Sequence, residues 1–107
     1  MTFWLLIACT QPLLSKGDCV DLQDAANRDR CRYERFMTLK PTQISDALTQ
    51  AQTFEDPVVR GAAIVGWVQE HSREISQEGG EQLCGVLAKT SEQAACKRRF
   101  SAAHLQR

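Results

Sequence analysis

Two pairs of cysteines place the reactive side chains of this 107-residue sequence at equal spacing. Eleven residues separate Cys19 from Cys31, and eleven separate Cys84 from Cys96. A leucine follows each first cysteine three positions on (Leu22, Leu87), and each second cysteine leads into a basic run ending on Phe36 or Phe100. Thiols in this pattern have two chemistries open to them, oxidation to disulfides or coordination of a soft metal ion as thiolates. Structural zinc sites use cysteines about two to four residues apart, a spacing neither pair has. A redox-active dithiol or a haem attachment would need Cys-x-x-Cys, which is absent. Disulfides are therefore expected. A metal-binding or thiol-active protein built on Cys19, Cys31, Cys84 and Cys96 is the alternative.

Other side chains offer less chemistry. Residues 70–74 cluster an acid, an imidazole and a hydroxyl in Glu70-His71-Ser72-Arg73-Glu74. Adjacent residues on a helix do not face one another, so the cluster reads as a solvated helix end. His104 falls in a segment, 102–107, expected to fray. The basic runs 28–35 and 97–99 suit a solvated helix face or contact with anionic lipid headgroups. Nucleic acid would require a net basic face with stacking aromatics, whereas the 13 basic and 13 acidic residues balance. Trp67 reads as core, or, with Val68, as an anchor for a partner, since interfaces favour tryptophan. No catalytic constellation, cofactor site or small-molecule site is evident, and the protein is expected not to be an enzyme.

The elements that must position the cysteines follow from helix geometry. Positions twelve apart on one helix lie about 18 Å apart along the axis, but a disulfide needs Cα atoms within about 7 Å. Two antiparallel helices turning near Ala25 or Thr90 would bring each pair level. Local pairing, Cys19–Cys31 and Cys84–Cys96, is the expectation; two other connectivities remain open for four cysteines. Between the stapled hairpins, Pro41 must end a helix running from about 27 to 39. Thr42 can cap a second helix over about 43–54, with Ile44, Ala47, Leu48, Ala51 and Phe54 as its stripe. Asp56-Pro57 is a strong helix start, opening the most apolar helix, expected to be the most buried. Ser76 can cap a helix reaching Lys89, in which Gly79-Gly80 marks either a break or a close backbone contact. No segment alternates with period two, so the fold class is all-α: a small bundle of about five to six helices.

Residues 56–68 resemble the opening helix of a HEAT-type repeat, with Asp-Pro, aliphatics, an arginine and an alanine-rich face. The resemblance implies a HEAT-like central helix pair flanked by the two stapled hairpins. Residues 1–8 form an uncharged apolar run that ends at Cys9. Leu6-Ile7-Ala8-Cys9 resembles the lipobox of bacterial lipoproteins, which implies lipidation of Cys9 after removal of a signal-like leader. A start upstream of Met1 would supply the basic flank such leaders carry. Cysteine parity agrees, because setting Cys9 aside leaves the four that two disulfides use.

The expected organisation is thus a leader over 1–8, a tether over 9–16 and one helical domain over 17–107. The expected role is a non-catalytic lipoprotein of the bacterial cell envelope, facing the periplasm. Its partners would be the membrane, through the lipid, and another envelope protein that it binds or scaffolds. An apolar run as short as 1–8 cannot span a bilayer.

Overall fold

Asp24 begins the first α-helix, its carboxylate accepting a hydrogen bond from the Asn27 backbone N–H at 3.3 Å. The computed structural model describes residues 18–105, and Cys9 with the segments 1–8 and 9–16 lies outside them. Helix α1 spans Ala25–Met37. It stops short of Pro41, whose ring disfavours helical backbone in the residue before it. A 3-10 turn, Pro41–Gln43, leads into α2, Ile44–Ala51.

Helix α2 ends earlier than its apolar stripe predicts: Gln52 and Thr53 bond three residues back, to Thr49 and Gln50, and the chain beyond is held by α1. The backbone N–H groups of Glu55 and Asp56 both donate to the Asp29 carboxylate, at 3.0 and 2.8 Å. Residues committed to that partner cannot also extend an i→i−4 ladder. The chain leaves the helix, and Phe54 drops into the core.

Asp56 and Pro57 start α3, Pro57–Glu70, as expected, with Asp56 Oδ1 accepting from the Val58 N–H at 2.9 Å. Ser76 caps α4, Gln77–Cys84, by accepting from the Gly79 N–H at 3.0 Å. This helix stops at Cys84 instead of reaching Lys89. The intervening turn is pinned by the Gln93 side-chain amide, which donates to the Leu87 carbonyl at 2.7 Å. Helix α5 then runs over Thr90–Leu105. The tail expected to fray therefore continues as helix through Leu105. His104 holds it, Nδ1 donating to the Ser72 carbonyl at 2.7 Å while the ring packs on Phe100.

The described residues form a bundle of five α-helices with no strand. Both disulfides are local: Cys19–Cys31 and Cys84–Cys96, with Cα atoms 5.6 and 5.5 Å apart. The second staple joins two α-helices, α4 and α5. The first differs from the expected hairpin, because its N-terminal arm is a single 3-10 turn, Cys19–Asp21, followed by extended Leu22. With Asp24 capping α1, the stretch from Cys19 to Gln23 is too short for an α-helix of its own.

The core is aromatic at its centre. Trp67 lies against Phe36 at 5.8 Å, and Phe36 meets Phe54 edge-on at 6.0 Å. Gly79 and Gly80 are buried within α4, so the pair marks a close approach and not a break. No helix among the described residues is long and apolar enough to cross a membrane.

Candidate functional site

Trp67 and Val68 offer nothing to a partner. Both side chains are sealed in the core, Trp67 with 0% of its surface exposed. The indole N–H donates to the Leu39 carbonyl at 2.9 Å, which satisfies its one polar atom. The expected anchor is thus a core residue, placed by its position on the inward stripe of α3. The four bundle cysteines are likewise consumed as cystines. None presents a thiolate, so the metal- or thiol-active alternative has no ligand set in this form. Among the described residues, no group of three metal-ligating side chains comes together.

The 70–74 cluster disperses. His71 ends α3 and sets its ring against Trp67 at 4.7 Å, while Ser72 is buried. His104, thirty-odd residues further on, bonds the backbone of Ser72. Each imidazole has a packing role. A shallow polar recess beside Gln69, Ser72 and Arg73 is the surface they leave.

The strongest electrostatic feature was not legible as a site. Glu55 accepts from Arg28 Nε at 2.6 Å, from Arg28 Nη2 at 3.1 Å and from Arg32 Nη1 at 2.8 Å. The same Arg32 Nη1 donates to Asp29 Oδ1 at 2.8 Å. Arg28 also reaches back to the carbonyls of Leu22 and Gln23, at 2.9 Å each, and so closes the chain over the first staple. Helix α1 positions three of these residues on one face, and the Asp56-Pro57 start of α3 positions Glu55. An i,i+3 Asp–Arg pair next to an arginine was the only sequence signal; the acid it needed lay 23 residues beyond Arg32.

Charge in this clamp is matched. Burial pushes the Asp29 carboxyl up, but the N–H groups of Glu55 and Asp56 and the Arg32 guanidinium outweigh it and leave Asp29 below its ordinary value. Hydrogen bonds from Arg28 and then Arg32 hold Glu55 down from 4.5 to about 2. A recess of about 340 Å³ adjoins the clamp, lined by Ala25, Ala26, Val59 and the three acids Asp29, Glu55 and Asp56. All three carboxylates accept hydrogen bonds, Asp29 and Glu55 within the clamp and Asp56 from the Val58 N–H. The arginine run of α1 is similarly committed: Arg28 and Arg32 to the clamp, and Arg30 to Glu34 at 3.6 Å.

Because both carboxyls are held low in the folded protein, the unfolded chain binds more protons than the folded one in acid. The stability they contribute is complete above the ordinary carboxylate range and is lost as pH falls from 4.5 towards about 2. Replacing Glu55 with Gln is therefore expected to destabilise the protein at pH 7 and to make little difference near pH 2. Urea unfolding of both proteins at the two pH values checks this; a gap that persists unchanged at low pH would assign the loss to packing.

The second surface is apolar. Between α3 and α5 runs an open groove of about 310 Å³, with Leu87 and Cys96 in its floor and Val58, Ala62 and Arg99 on its walls. Apolar composition marks α3 as the most buried helix and does not reveal this open side of it. Comparison with protein-family models, curated proteins and solved structures finds no match for this chain.

Proposed function

We propose that this is a non-catalytic protein of the bacterial cell envelope, tethered on the periplasmic side through a lipid on Cys9. In this reading its rigid helical surface binds or scaffolds another envelope protein. Cysteine accounting supports it. Four of the five cysteines form local disulfides, which persist in exported proteins and are rare in the cytosol. The fifth is Cys9, directly behind Leu6-Ile7-Ala8. Acyl chains on that residue would supply the membrane affinity, since each buried methylene contributes about 0.8 kcal/mol. With Trp67 buried, any partner must be met by exposed groups on the bundle surface.

The test is the intact mass of the natively expressed protein, alkylated without reductant and then digested. The expected product has lost residues 1–8, carries a diacylglycerol-sized addition on Cys9 and takes up no alkylating reagent on the other four cysteines. A product that retains Met1 and is alkylated at Cys9 would overturn the reading.

A further inference from the structure

Helix α3 carries two apolar stripes, and the fold seals only one; in the other, Val65 is half-buried against the core while Val58 and Ala62 are exposed. Ala63, Ile64, Trp67 and Val68 face the core. Val58, Gly61, Ala62 and Val65 fall within about 100° of one another on the helix surface, roughly 150° from the buried set. All four line the α3–α5 groove, and Val58 stands 77% exposed at its edge. An added Cβ at Gly61 would meet only Leu87 Cδ2, at 3.8 Å, so the groove is open above its small residues. Small residues let a second backbone approach closely.

The opposite wall comes from α5, where Glu92, Ala95 and Arg99 line the same groove. Glu92 and Arg99 are seven residues apart, on one face and separated by about 10.5 Å along the axis. Neither has an ion-pair partner among the described residues. The two series share a symmetry. The midpoint between Val58 and Val65 falls at Gly61-Ala62, and the midpoint between Glu92 and Arg99 falls at Ala95-Cys96. All of these midpoint residues line the groove.

We propose that the groove is an isologous interface for a second copy of this chain, with a two-fold axis passing through Gly61, Ala62 and Ala95. A two-fold interface sets residue i against j and j against i. Running antiparallel, Val58 of each copy packs near Val65 of the other. Glu92 of each meets Arg99 of the other, which gives both orphan charges partners of opposite sign. The small residues sit at the axis, where the two backbones come closest. A hetero-partner would need its own acid and base at matching spacing; a second copy already has them. The proposal does not depend on a lipid at Cys9.

Sedimentation equilibrium tests it, using the full chain with Cys9→Ser so that no intermolecular disulfide contributes, both internal disulfides being intact. A reversible monomer–dimer equilibrium is expected. Arg99→Glu alone and Glu92→Arg alone each set like charges opposite one another twice and should weaken it at least about tenfold. The double exchange, Glu92→Arg with Arg99→Glu, should restore the dimer to within about threefold of the parent. These residues are exposed, so far-UV circular dichroism should be unchanged in all three. A chain monomeric to about 1 mM, a dimer indifferent to the single reversals, or single losses that the double exchange does not repair would each overturn the interface.

Discussion

Gly80→Ala is expected to destabilise the protein by about 2 kcal/mol, the result of overpacking minus the gain in helix propensity. A Cβ built at Gly80 would lie 2.3, 2.5 and 2.6 Å from three ring carbons of Phe100. That ring is wholly buried and packs against His104, so it cannot swing away as the end of a flexible chain would. Helices α4 and α5 would have to separate, although the Cys84–Cys96 bond ties them a turn further along. Gly79, its neighbour, is the internal comparison. Its added Cβ would meet the Ile44 side chain at 2.9 Å, and Ile44 is only half-buried and able to shift. Gly79→Ala should therefore cost markedly less. Gly66→Ala, which meets only Met37 Cε at 3.6 Å, should stabilise by about 0.5–1 kcal/mol. Urea midpoints of the three variants measure the ranking. Phe100→Leu should relieve most of the Gly80→Ala penalty in a double-mutant cycle. A Gly80→Ala variant as stable as the parent would show that the helices are free to part.

That glycine pair shows where local signals suffice and where they stop. The sequence leaves Gly79-Gly80 open as either a break or a close contact, because the partner, Phe100, lies on another helix about as many residues away as a short helix hairpin spans. Two helix starts are legible: Asp56-Pro57 and Ser76 open their helices by side-chain hydrogen bonds made within three residues. Thr42 does not cap α2 as expected; it lies within the 3-10 turn Pro41–Gln43, and α2 starts after Gln43 with no side-chain cap. Helix ends are much less legible. Helix α2 stops at Ala51, where Gln52 and Thr53 bond three residues back to Thr49 and Gln50, and Asp29, on the preceding helix, holds the chain beyond through the N–H groups of Glu55 and Asp56. Equal cysteine spacing predicts both disulfides correctly, yet not that one arm of the first is a 3-10 turn, since the bond constrains only the ends. Composition marks α3 as apolar without saying that Val58 and Ala62 on one of its two stripes stay exposed. For the clamp and the groove alike, the missing information was which distant residues meet.

The two disulfides, alike in spacing, are expected to differ widely in what they contribute. On the chain-entropy account each closes a loop of about the same length, for about 3 kcal/mol apiece. That value assumes the folded state keeps the loop closed without the bond. Cys84 and Cys96 belong to the main apolar core, together with Leu83, Leu87 and Phe100, so their neighbourhood must stay in place for the bundle to exist. Cys84→Ala/Cys96→Ala should therefore lose the full amount of about 3 kcal/mol, with a further loss for the sulfur volume removed from the core. Cys19 and Cys31 are buried against each other but lie outside that core. They fasten a three-residue 3-10 turn whose Val20 is 64% exposed. Without the bond, that turn can detach while α1 to α5 remain packed, and the folded state regains the entropy the unfolded state gains. Cys19→Ala/Cys31→Ala should cost about 1 kcal/mol or less, with most of the cost falling on the Arg28 contacts to Leu22 and Gln23. Calorimetric unfolding of the two double variants measures the difference, and limited proteolysis should cut the second variant before Asp24 while its bundle stays intact. Equal losses would show that the N-terminal turn is as much a part of the cooperative fold as α5.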